Sequence, residues 1–145
     1  MTKVTFRKCE PLPFLILHLS LKEIWYRMIK SGEKPEEYRE LNAYWIKRLI
    51  DERITDRDGI GRRWRLSTKM AQSYAQYPLQ LKYDLAHGKV AFRNFSDVHF
   101  TLGYPKADDT SRNMVRGINE IVIAKGNLNW GAVEDKEYFV IRLKD

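Results

Sequence analysis

The sequence predicts an α+β fold in which a small β-barrel is flanked by α-helices. The order of elements carries this prediction, because a strand and several helices come first and a run of alternating strands follows. The chain has 145 residues, of which 43% are hydrophobic and 12% aromatic, and this composition suits one folded domain rather than a disordered segment. No apolar run approaches the roughly 18 residues of a membrane-spanning helix, so no membrane partner is expected.

The first elements are a strand, a helix and a second strand. Leucines alternate with other residues within 12–21, which predicts a buried strand, and apolar residues recur at helical spacing over 21–31. Ser20 is a candidate N-cap for this helix, and Gly32 is a candidate C-terminal stop. A short strand over 37–41 follows a turn that contains proline.

The middle of the chain is predicted to be mainly helical. A helix is expected over 44–53, and a loop or hairpin over 57–65. The segment 67–86 has helical character that is interrupted at Pro78, because proline cannot continue a helix through its missing N–H group.

The last third of the chain is predicted to be β-structure. Alternating apolar residues indicate strands over 89–95, 98–103, 118–125 and 138–143. Short polar turn sequences separate these segments, and an arrangement of this kind is typical of a compact sheet or barrel.

The cysteine and histidine content argues against metal, redox and cofactor chemistry. Cys9 is the only cysteine, which excludes an intramolecular disulfide and a four-cysteine zinc site and fits a reducing compartment. His18 interrupts the N-terminal apolar stretch, and no cleavage signature follows it, so we expect a cytoplasmic protein. The histidines are scattered, and no phosphate-binding loop or dinucleotide fingerprint is present. We therefore expect no metal and no cofactor.

The formal net charge of +7 permits a polyanionic partner. Residues 44–70 hold eight basic and four acidic side chains, so +4 of this charge lies in that segment. The run Arg62, Arg63, Trp64 and Arg65 combines arginine with an aromatic ring, as surfaces that bind single-stranded nucleic acid do. A solvated basic face with Trp64 in the core is the alternative interpretation.

A second polar cluster lies between Gly32 and Arg39. Lys34 offers a mobile cation, and a strand that begins at Glu37 would place Glu37 and Arg39 on one face, with Tyr38 pointing into the core. That face would carry a carboxylate acceptor beside the five-donor fork of arginine. The alternative is a solvated charged loop with a single salt bridge.

Residues 15–39 resemble the opening of the ASCH domain family, which has a PUA-like fold. In that family a strand and a helix lead into a G-x-K-x-x-E-x-R motif, whose four positions are filled here by Gly32, Lys34, Glu37 and Arg39. The closing strands of phage- and prophage-type members resemble residues 98–104, 118–131 and 138–143. On this resemblance the chain is identified as one ASCH (PUA-like) domain over 1–145, with a helical and basic insertion at about 44–88.

The resemblance implies a PUA-like barrel and a cleft beside the motif that binds RNA or a nucleotide-like ligand. The motif residues would line this cleft, and Tyr104, Asn129 and Trp130 in strand-end loops would help to close it. Together with the basic run, the residues assigned to ligand or nucleic-acid binding are Gly32, Lys34, Glu37, Arg39, Arg62, Arg63, Trp64, Arg65, Tyr104, Asn129 and Trp130.

Two other functions remain open at this point. Some relatives are amidohydrolases that act on acetylated cytidine, and they carry a threonine nucleophile where this chain has Glu37. A hydrolase, either a ribonuclease or an N4-acetylcytidine-type amidohydrolase, would use Lys34 and Glu37 as its acid and base. The other alternative is a small-molecule-binding phage accessory protein whose positive charge is incidental.

Overall fold

The computed structural model describes residues 14–55, 61–103 and 110–145. These residues form a mixed α+β fold with four α-helices and eight β-strands, which confirms the predicted fold class at that level. In chain order the elements are β1 (Leu15–Leu21), α1 (Glu23–Ser31), β2 (Glu36–Arg39), α2 (Ala43–Leu49), β3 (Ile50–Thr55), β4 (Gly61–Arg65), α3 (Thr68–Gln76), α4 (Pro78–Ala86), β5 (Val90–Phe92), β6 (Phe95–Leu102), β7 (Asn113–Lys125) and β8 (Glu137–Leu143).

The chain divides into two compact units. The outer unit combines residues 14–40 with 95–145, and the nested unit comprises 41–94. The segment that was predicted to be an insertion, 44–88, falls within the nested unit. None of the helices in the described ranges is long and apolar enough to cross a membrane.

The outer unit contains a five-stranded sheet of order β1-β6-β7-β8-β2 that curls into a half-barrel. β1 runs parallel to β6, and every other neighbouring pair is antiparallel. The long strand β7 changes partner along its length, because residues 113–117 pair with β6 and residues 118–125 pair with β8. A register shift between Ile118 and Glu120 marks this change, and such a shift bends a strand and increases its twist.

Helix α1 begins and ends for different reasons. Ser20 is not its N-cap, because β1 continues its pairing with β6 as far as Leu21 and the helix starts only at Glu23. Its predicted stop is confirmed: Gly32 has a φ of 89°, and its N–H donates to the carbonyl of Ile29. Glycine adopts this left-handed conformation without steric cost, so the chain can reverse here and enter β2.

Strand β1 is buried on one face only. Leu17, Leu19 and Leu21 are buried, whereas Ile16 is 53% exposed. His18 lies on the exposed face, so it is not a core histidine, and its ring centroid is 5.2 Å from that of His99 on β6. The period of two residues along a strand produces this division.

The nested unit packs helices with a three-stranded antiparallel sheet of order β4-β3-β5. The helix predicted over 44–53 ends at Leu49, because residues 50–55 pair with strands on both sides. The segment 57–65 was predicted to be a loop or a hairpin, and its described part is the strand β4, which pairs antiparallel with β3. The predicted break at Pro78 is also confirmed, since proline occupies the first turn of α4.

Candidate functional site

The reversal at Gly32 and the pleat of β2 bring three motif side chains together. Lys34 Nζ donates to Glu37 Oε1, and Arg39 Nη1 donates to Glu37 Oε2 at 2.7 Å. Glu37 and Arg39 therefore share a face of β2, as the strand period predicts. The result is a network of two cations around one carboxylate.

This network is largely buried. Lys34 is 0% exposed and Glu37 is 5% exposed, whereas the Arg39 side chain retains 16% exposure. The Glu37 carboxylate accepts a further hydrogen bond from the backbone N–H of Tyr38 at 3.0 Å. Both of its oxygens are thus engaged inside the protein, and Arg39 is the member of the network that reaches the surface.

Arg39 is held in place by the backbone as well as by Glu37. Its Nη1 donates to the carbonyl of Tyr38 at 2.8 Å, and its Nη2 donates to the carbonyl of Ser20 at 3.1 Å. The guanidinium plane therefore spans from β2 to the end of β1. A fork with these fixed contacts is positioned without the entropy cost of ordering a free side chain.

The ammonium group of Lys34 lies between aromatic faces. Nζ is 5.1 Å from the ring centroid of Trp25 and 5.5 Å from that of Tyr38, within the range of cation–π attraction. Burial lowers the pKa of Lys34, and the Glu37 carboxylate opposes this shift. Trp25 in turn lies against Gly131, where an added Cβ would come within 2.9 Å of the indole Cζ2 atom.

Tyr38 forms a hydrogen bond with the loop that follows β7. Its hydroxyl donates to Glu36 Oε2 at 2.6 Å and accepts from the N–H of Asn127 at 2.9 Å. Burial raises the pKa of Tyr38, so the hydroxyl keeps its proton and remains a donor. Asn129 is exposed in this loop, whereas Trp130 packs against a cluster that includes Tyr38.

An open cavity of about 400 Å³ lies where the parallel strands β1 and β6 end and α1 begins. Arg112 stands at its edge and donates from both Nε and Nη2 to the carbonyl of Leu102, at 3.1 and 2.8 Å. Arg39 bonds to Ser20, the residue just before the first lining residue. The lining residues are Leu21, Lys22, Glu23, Leu102, Gly103 and Arg112.

The sequence analysis did not find this cavity. Leu21 and Leu102 are separated by some 80 positions and meet only because β1 pairs with β6, which no local pattern indicates. Tyr104 follows the lining residue Gly103 in the chain but lies outside the described residues. In the described part of the chain, no group of three potential metal ligands is found.

The basic run is divided between the two faces of β4. Arg63 and Arg65 lie on one face, whereas Arg62 and Trp64 lie on the other, because successive side chains of a strand alternate. Trp64 is 52% exposed, so the alternative that placed it in the core is wrong. The four residues therefore do not form one continuous patch.

Comparisons of the chain with protein-family models, with curated proteins and with solved structures each find no match.

Proposed function

We propose that this protein is an ASCH-type, PUA-like module that binds RNA or a nucleotide-like ligand at the cavity beside the motif. The supporting observation is the position of the Arg39 guanidinium. It bonds to Glu37 of the buried Lys34–Glu37 pair and to the carbonyl of Ser20 near the end of β1, next to an open cavity. A volume of about 400 Å³ falls within the range of small-molecule pockets, about 300–1,000 Å³.

The cavity offers chemistry that suits a nucleotide. Lys22 and Arg112 supply cations for phosphate oxygens, and the carboxylate of Glu23 supplies an acceptor for a base amino group or a sugar hydroxyl. Leu21 and Leu102 add apolar surface for a base. In this proposal Lys34 and Glu37 are positioning residues, because they orient Arg39 rather than touch the ligand.

Hydrolysis by Lys34 and Glu37 receives less support from the geometry. A general base must come within hydrogen-bond reach of the proton it removes, and a substrate would have to displace contacts that already engage both Glu37 oxygens. Binding at the cavity requires no such rearrangement. We therefore place the binding module first and the hydrolase second.

Equilibrium titration of the four ribonucleoside monophosphates and of short single-stranded RNAs tests the proposal. We expect Arg112→Gln to weaken binding by about tenfold, since a charged hydrogen bond contributes about 1.5–3 kcal/mol. Lys125→Gln is the control, because this exposed lysine lies in the same unit at the far end of β7. The proposal would be overturned if binding is undetectable at low salt, or if Arg112→Gln leaves the affinity unchanged.

An activity assay separates the hydrolase from the binding module. Labelled RNA and N4-acetylcytidine are incubated with the wild-type protein, Lys34→Met and Glu37→Gln. The binding proposal expects no turnover by any of the three. Turnover by the wild type that both substitutions abolish would establish the hydrolase instead.

A further inference from the structure

The three-stranded sheet of the nested unit gathers arginines on one face. Arg53 pairs directly with Arg63 across β3 and β4, and Asp51 pairs with Arg65, so these four side chains point to the same side. Arg93, which follows β5, places its Nε 3.5 Å from Asp51 Oδ1 on that side. We call this surface the arginine face; it comprises Arg53, Arg63, Arg65 and Arg93 around Asp51.

The opposite side of this sheet faces the core. Ile50 and Val90 belong to that side, and they are 0% and 1% exposed. The arginine face therefore points away from the core of the nested unit, and Arg53 and Arg65 are exposed. No local pattern in the sequence reveals this surface, because its members come from β3, from β4 and from the residue that follows β5.

Charge on the arginine face is poorly balanced within the protein. Among the described residues this face has four guanidinium groups and one carboxylate, that of Asp51, which gives it a net charge of +3. Burial raises the pKa of Asp51, and the nearby Arg93, Arg63 and Arg65 oppose this shift. Arg63 and Arg93 also donate to backbone carbonyls. Arg53 and Arg65 are exposed, so their guanidinium groups are accessible to an external anion.

The positive charge of the chain is also concentrated in the nested unit. Residues 41–94 contain eleven basic and five acidic side chains, a net charge of +6. Residues 14–40 and 95–145 together contain twelve basic and thirteen acidic side chains, a net charge of −1. The attraction to a polyanion therefore resides in the nested unit and not in the unit that carries the motif.

We propose that the arginine face binds the phosphodiester backbone of single-stranded RNA. Same-face side chains repeat about every 7 Å along a strand and about 4.8 Å across strands, so neighbouring arginines can reach different phosphates of an extended backbone. Guanidinium groups bind phosphate oxygens in a bidentate manner. Trp64 lies on the opposite face of β4, so the arginine face would contact only the backbone of the nucleic acid. A single strand is favoured because its flexible backbone can follow the arginines across the strands.

This inference rests on the proposed function for the choice of RNA, but it concerns a different surface. The cavity of the outer unit would recognise a nucleotide, whereas the arginine face would hold the backbone without regard to sequence. The two surfaces are therefore expected to respond to different substitutions.

Fluorescence anisotropy with a labelled single-stranded RNA of about 12 nucleotides tests the arginine face over a range of salt concentrations. The double variant Arg53→Gln/Arg65→Gln should weaken binding at low salt by about tenfold and should reduce the slope of log Kobs against log [salt] by about 1.4, since each phosphate contact contributes about 0.7. Lys30→Gln/Lys125→Gln is the control of matched charge, because both lysines are exposed in the outer unit.

A second variant is expected to bind RNA more tightly than the wild type. Asp51→Asn removes the carboxylate that neutralises the arginines, so it should tighten RNA binding several-fold and steepen the salt dependence. Urea unfolding of each variant confirms that the fold persists.

Three results would overturn the inference. The first is that the control weakens binding as much as the arginine double variant, which would indicate an effect of net charge alone. The second is that polyglutamate competes as well as RNA, which would indicate an acidic protein partner. The third is that a duplex competes as well as the single strand. Nucleotide binding that is lost in Arg112→Gln but kept in the arginine variants would leave the proposed function intact if this inference fails.

Discussion

Replacement of Lys34 by methionine tests whether the motif is a buried ion network. Methionine keeps the length and the apolar stem of the side chain and removes only the charge. The Glu37 carboxylate, 5% exposed, then loses the ammonium donor and keeps Arg39 at 2.7 Å and the Tyr38 N–H at 3.0 Å. Removal of one partner from a buried pair costs about 3–5 kcal/mol, because the other charge remains buried without compensation.

The expected loss of stability can be stated as a midpoint shift and compared with that of a double variant. The lower end, about 3 kcal/mol, is expected because Arg39 still neutralises part of the charge. With a urea m-value of about 2 kcal/mol/M, the midpoint should fall by about 1.5 M. The double variant Lys34→Met/Glu37→Gln should be more stable than Glu37→Gln alone by at least about 1 kcal/mol, since Glu37→Gln leaves the buried Lys34 ammonium without its carboxylate and the double variant does not.

Urea unfolding monitored by tryptophan fluorescence measures these differences. Arg27→Met is the control, because Arg27 and Glu23 form an ion pair at 2.7 Å with side chains that are 76% and 61% exposed. A pair of that kind contributes less than about 1 kcal/mol. If Lys34→Met and Arg27→Met lower the midpoint equally, or if the double variant is no more stable than Glu37→Gln, the reasoning is refuted.

Three further predictions concern packing, hydrogen bonding and pH. Gly131→Ala should destabilise the protein by about 1–3 kcal/mol, because its φ is 97° and its new Cβ would meet Trp25, whereas Gly61→Ala, with open space around it, serves as the control in thermal unfolding. Tyr38→Phe removes a hydroxyl with two partners and should cost about 1–3 kcal/mol in urea. The raised pKa of Asp51 stabilises the fold below pH 3.8, and this effect is lost as pH rises through the folded pKa, so the stability relative to Asp51→Asn should fall as pH rises above 3.8. A relative stability that grows with pH would contradict this sign.

Local chemistry explains which elements were predictable. Gly32 ends α1 because only glycine adopts its φ freely, and Pro78 separates α3 from α4 because proline has no N–H group. The shared face of Glu37 and Arg39 follows from the strand period alone. Each of these features depends on one residue or on a spacing of a few positions.

Two wrong predictions of secondary structure have the same cause, which is pairing with another strand. Residues 50–53 were predicted to continue a helix, but β4 and β5 provide hydrogen-bond partners on both sides of them. Ser20 was predicted to cap α1, but its segment is occupied in pairing with β6. Sequence periodicity contains no information about such partners, and tertiary pairing outweighs local propensity.

The candidate site could also be predicted only in part. The motif residues could be named from the sequence, and their spacing placed Glu37 beside Arg39. Their burial could not be predicted, because Lys34 lies between Trp25 and Tyr38, and both of these rings contact a loop some 90 residues further along the chain. The cavity at the ends of β1 and β6 likewise exists only in the folded chain.

The sequence by itself determined the order of elements, the reversal at Gly32 and the total charge of +7. Only the tertiary structure decided that Lys34 and Glu37 are buried and that the charge belongs to the nested unit, on a face where Arg53 pairs with Arg63. The physical reason is the sequence separation over which each effect acts. Backbone conformation and side-chain alternation are set by neighbours in the chain, whereas burial and charge clustering depend on segments that the fold brings together.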